Sequence, residues 1–282
     1  MTFNEGPVTV EAPAKLNLCL YLGPRLPDGY HLITSIFEPV TLSDSVTFTE
    51  SERDEVVCPG VPGENLATQA LRVLRSEEWD GPPVRVEIEK RIPIAAGLGG
   101  GSADAAAVLR MAAGEVGDLA GIAALIGADV PSQLDPMPCL VEGVGQKITT
   151  LPRPAEHWVL LLPLEPGLST AAVFAEADRM GLAKKSGELA PISEKLWAVA
   201  SGAVSPLDYP GLLINDLEPA ALSLMPEIGL AKDRLADAGA AHVGMSGSGP
   251  TVFGLFRTKD EALAAAGILG PEAILCEGGV PG

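Results

Sequence analysis

The segment Pro93–Leu109, PIAAGLGGGSADAAAVL, limits what this chain can fold into more than any other stretch. Gly97, Gly99, Gly100 and Gly101 place four glycines in five positions. They remove the side chains that would keep a ligand from the backbone amides and permit positive φ values that turn successive N–H groups toward one point. Upstream, Pro83–Lys90 alternates, with Val84, Val86 and Ile88 on one face and Arg85, Glu87 and Glu89 on the other, which predicts a half-buried strand. Downstream, Ser102 stands where a helix N-cap belongs, and Ala103–Ala113 has helix-forming composition. A strand, a glycine cradle and a helix N-terminus in succession form an anion site. Asp104 in the first helical turn would repel a phosphate if it faced inward, so it is expected to point away. The segment is not G-x-x-x-x-G-K-[ST], because no lysine follows the glycines, nor G-x-G-x-x-G, because Ser102 takes the last glycine's place. The bland alternative is a flexible turn between domains, which rarely joins such glycine density to an N-cap and a helix.

Charge bounds what can bind. The formal net charge is −18 and the sequence pI is near 4.5, which argues against nucleic acid as a partner. An anionic ligand then needs local means: backbone N–H groups, a helix dipole, a metal ion and a few placed lysines. The 282 residues suit two domains sharing an interface, and 47% hydrophobic against 20% charged residues indicates a well-cored globular protein. Aromatics are only 4%, so the core is built from Ala, Leu, Val and Ile. No apolar run approaches the roughly 20 residues that span a bilayer. The opening MTFNEGPVTVEAP carries an acid and no basic region, unlike a secretory signal. The expectation is a cytoplasmic protein with no membrane partner; oligomeric state is not legible. Cys19, Cys58, Cys139 and Cys276 are scattered with no C-x-x-C pair, which predicts free buried thiols.

Along the chain, Val8–Glu11 and Lys15–Leu22 read as strands interrupted at Ala12-Pro13, followed by the loop GPRLPDGYH. Ile36–Leu42 and Ser45–Glu50 read as strands joined by a turn at Ser43-Asp44. Asn65–Glu77 and Asp118–Ile126 have helical character, and the loop ADVPSQLDPMP precedes a strand at Cys139–Glu142. Pro152–Pro154 is the best boundary, giving domains 1–153 and 154–282. Beyond it come a strand His157–Leu164, a helix Thr170–Arg179 and a polar connector Lys184–Pro191. A helix Ile228–Ala238, a second glycine turn Gly244–Gly249, a strand Thr251–Phe256 and a helix Glu261–Leu269 follow. Pro271–Gly282 carries no readable pattern. Strands and helices mix without strict alternation, so the fold class is α+β.

The glycine segment resembles the central motif of the GHMP kinase superfamily, which includes galactokinase, homoserine kinase and mevalonate kinase. Ala12-Pro13-Ala14-Lys15-Leu16-Asn17-Leu18 with Asp28-Gly29-Tyr30-His31 resembles the branch of that superfamily acting on 4-diphosphocytidyl-2-C-methyl-D-erythritol. Gly127-Ala128-Asp129-Val130-Pro131, Glu142-Gly143-Val144-Gly145, Asn215-Asp216-Leu217-Glu218 and Ser246-Gly247-Ser248-Gly249-Pro250 extend the likeness to about residue 256. The resemblance implies a two-domain GHMP kinase fold, with a ribosomal S5 domain 2-like N-terminal half on the ATP side and a ferredoxin-like C-terminal half on the substrate side. It implies transfer of the γ-phosphate of ATP, with Mg²⁺, to the substrate's 2-hydroxyl in the non-mevalonate isoprenoid pathway.

The resemblance also implies roles. Asp129 would be the general base and Lys15 the cation that orients the hydroxyl; read plainly, they are a turn-capping Asp and a surface lysine. ATP would lie on Pro93, Ala95, Ala96, Gly97, Leu98, Gly99, Gly100, Gly101, Ser102 and Ala103. Asn65 and Leu66 would flank the adenine, although a helix start explains them equally well. On the substrate side stand Asn17, Tyr30, His31, Thr170 and Phe174, besides Asp129. Tyr30 and Phe174 would be aromatic faces for the cytosine and His31 a polar contact, whereas a Phe at helical spacing is ordinarily core. Tyr30-His31 separates a pyrimidine-binding kinase from homoserine or mevalonate kinases, and Lys15 with Asp129 separates a kinase from a silent nucleotide-binding protein. Lys90 and Arg91 read as solvated charges. The motif departs from relatives in AAGLGGGSADAA, where Ala103 replaces a serine, and SQLDPMPCLVEGVG is more polar than the apolar strand expected after Asp129.

Overall fold

The structure, a computed structural model, describes residues 6–61, 63–77 and 79–280; residues 1–5 of the opening segment and 281–282 of the tail lie outside the described residues. The strands are β1 (Val8–Arg25), β2 (His31–Glu50), β3 (Glu55–Val57), β4 (Val84–Glu89), β5 (Cys139–Gly143), β6 (Lys147–Thr150), β7 (Trp158–Leu162), β8 (His242–Met245), β9 (Val252–Phe256) and β10 (Ile274–Glu277). The helices are α1 (Leu66–Ser76), α2 (Gly100–Arg110), α3 (Leu119–Ile126), α4 (Val130–Gln133), α5 (Thr170–Met180), α6 (Leu189–Ala200), α7 (Glu218–Leu224), α8 (Glu227–Asp237) and α9 (Lys259–Leu269).

β1 and β2 form one long antiparallel hairpin. Strand β2 carries β1 on one edge and two shorter strands on the other: β4 along Ser45–Glu50 and β5 along Ile33–Phe37. With β3 beside β4 and β6 beside β5, this makes a six-stranded sheet. Val84, Val86 and Ile88 are buried as their alternation requires. They pack with Ala67, Ala70, Leu71 and Leu74 of α1 and with the alanines of α2, whose small side chains let that helix lie deep.

The second sheet has the order β10-β7-β9-β8 with every neighbour antiparallel. That is the ferredoxin-like order, in which the first strand takes the last and third as neighbours. Helix α9 starts at a capping box between Thr258 and Glu261. The two sheets share a core: Leu16, Tyr21, Ile36, Ile92 and Leu98 meet Val159, Leu161, Leu196 and Phe253.

Several local expectations need correction. The Ala12-Pro13 interruption is a register shift within continuous β1, because a bulge accommodates a proline that a ladder cannot. Ser43-Asp44 is no turn; it lies inside β2, with Asp44 fully buried. The loop after Asp129 contains the short helix α4. The connector Lys184–Pro191 ends in α6, and the unreadable tail supplies β10.

Where the first sheet meets the second, His157 Nε2 lies 2.7 Å from Glu38 Oε1, both groups buried, with Ala155 O on the other ring nitrogen at 3.0 Å. Burial penalises the imidazolium, but Glu38 outweighs it, and the His157 pKa is raised above its ordinary 6.5. The stabilisation is therefore complete below about pH 6.5 and is lost as pH rises through the raised value. Breaking such a buried pair from one side costs about 3 kcal/mol. Glu38→Gln is expected to lose about that much stability and to flatten the decline of stability between acidic and alkaline buffers. Urea unfolding of both proteins at several pH values checks this.

Candidate active site

A cavity of about 830 Å³ is lined by residues of both halves of the chain, a size suited to small-molecule ligands. The glycine cradle forms its floor. Gly97 (φ 77°) and Gly99 (φ 70°) adopt the left-handed conformation, and Gly99 occupies the N-cap of α2. The helix thus begins at Gly100, two residues before the Ser102 predicted to cap it. The left-handed Gly99 makes the turn that a serine cap would otherwise start, and Ser102 is free to line the cavity. Helix geometry leaves the N–H groups of Gly100, Gly101 and Ser102 without intrahelical acceptors, available to an anion with the positive end of the dipole behind them. Pro93, Ala95, Ala96 and Leu98 also line the cavity, whereas Ala103 is buried beneath it.

Lys15 and Asn17 lie on one face of β1, between the register shifts at Pro13/Lys15 and Asn17/Cys19 that re-aim this stretch. Lys15 Nζ is 3.2 Å from Asp129 Oδ2, 2.5 Å from Asn17 Oδ1 and 4.6 Å from the centre of the Phe37 ring. Its side chain is 6% exposed, so it is no surface lysine. Asp129 holds the N-cap position of α4 but makes no capping hydrogen bond, which leaves its carboxylate for Lys15. Gly145 packs against Ala128 O, bracing the residue before Asp129. Asn17, read from sequence as a substrate contact, has both ends of its amide engaged: Oδ1 accepts from Lys15 and Nδ2 donates to Ser35 Oγ at 3.0 Å. It lines the cavity and also holds Lys15.

From Lys15–Asp129 one arm of the cavity runs to Tyr30, His31, Thr170 and Phe174. Tyr30 follows the tight hairpin turn at Gly29 and is 61% exposed, open to stacking. The His31 and Phe174 ring centres are 5.3 Å apart. His31 Nε2 is 2.7 Å from Asp178 Oδ1, and Arg25 Nη1 is 3.7 Å from Asp178 Oδ2. Thr170 Oγ1 and Ser248 Oγ are 3.0 Å apart, so the second glycine turn borders this arm. Sequence reasoning missed Asp178. Its spacing from Thr170 and Phe174, four residues at each step, would have placed it on their face of α5.

The other arm is lined by Cys58, Val61, Asn65, Leu66, Lys90 and Asp104. Asn65 caps α1, its Oδ1 accepting from Thr68 N at 2.8 Å, so the plain reading accounts for it even as it lines the cavity. Lys90 is not a solvated charge: it is largely buried and paired with both Asp44 and Asp104. Asp104, expected to turn away from a phosphate on the cradle, turns to Lys90. It is buried, and desolvation, opposed by Lys90 and reinforced by Asp44, raises its pKa to about 7. Arg91 is exposed, as expected. The four cysteines are free; burial pushes Cys19 and Cys139 up to about 12, while Cys58 is only half-buried.

Residues 65–143 match the family of GHMP kinases N terminal domains, and residues 206–273 match the GHMP kinases C terminal family. The protein is 38% identical over 275 residues to the 4-diphosphocytidyl-2-C-methyl-D-erythritol kinase of Anaeromyxobacter sp. (strain Fw109-5), covering 93% of this chain and 87% of that one. The chain belongs to the 4-diphosphocytidyl-2-C-methyl-D-erythritol kinase family. A second kinase of that name, from Mycolicibacterium gilvum (strain PYR-GCK), is 40% identical over 93% of this chain and 88% of its own. A crystal structure of 4-(cytidine 5'-diphospho)-2C-methyl-D-erythritol kinase superposes with a TM-score of 0.78 at 32% identity, covering 97% of this chain and all (100%) of that one. A homoserine kinase from Cytophaga hutchinsonii, at 18% identity and a TM-score of 0.69, shares the fold. The two-domain GHMP kinase fold expected from sequence is therefore the fold of this family member. Among the described residues no helix is long and apolar enough to cross a membrane.

A Cβ on Gly97 would fall 2.5 Å from Ser246 O and would also have to adopt positive φ. Gly97→Ala is expected to cost about 2 kcal/mol of stability and to weaken nucleotide binding. Denaturant unfolding and titration with a non-hydrolysable nucleotide measure the two effects.

Proposed function

We propose that the protein moves the γ-phosphoryl group of ATP to the 2-hydroxyl of 4-diphosphocytidyl-2-C-methyl-D-erythritol, with Asp129 as general base and Lys15 as its cationic partner. The observation that carries this reading is the 3.2 Å Lys15–Asp129 pair, set beside a helix N-terminus and between two arms of one cavity. Phosphoryl transfer asks little of a protein beyond in-line positioning and charge neutralisation. Asp129, beside an ammonium, accepts the proton of the attacking hydroxyl. Lys15, held by Asn17, keeps that carboxylate aimed and offsets negative charge near the acceptor oxygen. The amides of Gly100, Gly101 and Ser102 hold phosphate oxygens.

Mg²⁺ takes oxygen ligands and commonly binds through one or two carboxylates plus substrate phosphates. No cluster of three or more His, Cys, Asp or Glu side chains that could hold a metal occurs among the described residues, which suits an ion carried chiefly by the nucleotide. The Ser102 hydroxyl, which lines the cavity beside the cradle, is the side chain that would complete its shell. When bound, Mg²⁺ supplies neutralisation of phosphate charge.

Tyr30 and Phe174 supply faces for the cytosine, with His31, anchored by Asp178, as the polar contact and Thr170 nearby. Residues 1–153 form the ATP-binding domain, and residues 154–282 close the substrate side through α5. Free cysteines suit a reducing compartment, and we place the enzyme in the cytoplasm.

ADP release with the cytidylated substrate, measured beside homoserine, mevalonate and galactose, tests the assignment: turnover is expected only with the first. Asp129→Asn is expected to lower kcat at least about 100-fold while an ATP analogue still binds. A near-wild-type rate in that variant would remove Asp129 as base.

A further inference from the structure

Two carboxylates surround Lys90 at the floor of the second arm. Asp44 Oδ1 accepts from the backbone N–H groups of Arg91 (2.6 Å) and Ile92 (2.8 Å), and Asp44 Oδ2 accepts from Lys90 Nζ. Asp104 Oδ2 accepts from Lys90 Nζ at 2.8 Å. The remaining oxygen, Asp104 Oδ1, is buried without a hydrogen-bond partner, on a residue only 4% exposed that lines the cavity. A buried acceptor left unpaired is costly, and native structures seldom leave one without a reason.

Position narrows what would fill it. The cradle takes phosphates, and the Lys15–Asp129 pair marks the side on which the transferred group must lie. The nucleoside therefore leaves the cradle on the other side. A Cβ on Gly100 would sit 3.2 Å from Lys90 Nζ and one on Gly101 3.7 Å from Leu66 Cδ1, so this arm adjoins the glycines directly. Its walls of Val61, Leu66 and Cys58 suit a purine. A phosphate oxygen is disfavoured at Asp104 Oδ1, because two carboxylates, Asp44 and Asp104, already share the single Lys90 ammonium there. A metal ion is opposed by the ammonium already bonded to the same carboxylate. A neutral N–H donor remains.

We propose that Asp104 Oδ1 accepts a hydrogen bond from the exocyclic 6-amino group of the adenine base, making Asp104 the residue that selects ATP over 6-oxopurine triphosphates. The assignment rests on ATP being the donor in the reading above. Against the ionised Asp104 a 6-oxo group at the same place would bring acceptor against acceptor, and a site built around a hydrogen bond rejects the analogue that lacks it. Lys90, fixed by Asp44, positions the carboxylate.

The test is a thermodynamic cycle read by equilibrium binding, without the acceptor substrate. ATP and purine riboside triphosphate, which carries hydrogen in place of the 6-amino group, are titrated against wild type and Asp104→Ala. Wild type is expected to bind the analogue at least about tenfold more weakly, and Asp104→Ala is expected to bind the two within about twofold of each other. Should Asp104→Ala not fold, the near-isosteric Asp104→Asn carries the test. Its amide can donate, so the preference for ATP over inosine triphosphate is expected to fall at least about tenfold. In turnover the loss should appear in KM for ATP rather than in kcat.

Equal binding of ATP and the purine analogue by wild type would overturn the proposal while leaving ATP as donor. So would an ATP preference that survives in Asp104→Ala, or a shifted Mg²⁺ requirement there with an unchanged ratio, which would make Asp104 a metal ligand. Failure of wild type to bind any of these nucleotides would remove the ATP reading itself, and this proposal with it.

Discussion

One hydroxyl holds together three segments that are far apart in sequence. Ser246 Oγ donates to Gly97 O at 3.0 Å and accepts from Asn17 N at 3.1 Å, joining the second glycine turn to the cradle and to β1. Asn215 Nδ2 fixes that turn in its own right, donating to Met245 O and Gly247 O at 2.8 Å each. The contact is possible only because Gly97 lacks a side chain. The position of the Lys15 ammonium follows from it, since Asn17 holds Lys15 and Lys15 N donates to Leu98 O at 2.9 Å. The cradle is thus a joint between the halves of the molecule as well as a ligand site.

The same region shows how a chain of net charge −18 can receive polyphosphate. Neither lysine at the site is unpaired: Lys15 faces Asp129, and Lys90 faces two carboxylates. The attraction comes chiefly from oriented amides, whose dipoles act at contact range and carry no net charge to be screened. On the proposed reading, backbone geometry holds the phosphates and selectivity falls to the side chains at either end of the cavity.

Much of this was legible because the informative stretches are local. The alternation of Val84, Val86 and Ile88 and the composition of α2 decide their own conformations. What escaped depended on distant partners. Asp44 looks like a turn residue until Lys90 and the amides of Arg91 and Ile92 are seen to surround it inside β2. The four residues of β10 become a strand only by pairing with β7. Helix α6 carries Pro191, Ser193 and Glu194, which dilute its apolar stripe. In the site, Lys15, Asp129, Tyr30 and His31 stood out through family-like strings. Asp178 and the inward Asp104 did not, since their roles depend on which atoms their neighbours leave free.

The β1–β2 hairpin has a consequence for substrate length. It carries Lys15 and Asn17 on one strand, leads directly into Tyr30, and returns with His31. Lys15 and Tyr30 therefore lie on one continuous hairpin, and two register shifts, at Asn17/Cys19 and Leu22/Arg25, fall within the span between them. The hairpin works as a ruler. A molecule with a shorter or longer bridge between its ring and its hydroxyl would be measured against that span before any single contact could discriminate. Inserting or deleting a residue in the ladder would reset the gauge although every one of these side chains would still be present in the sequence.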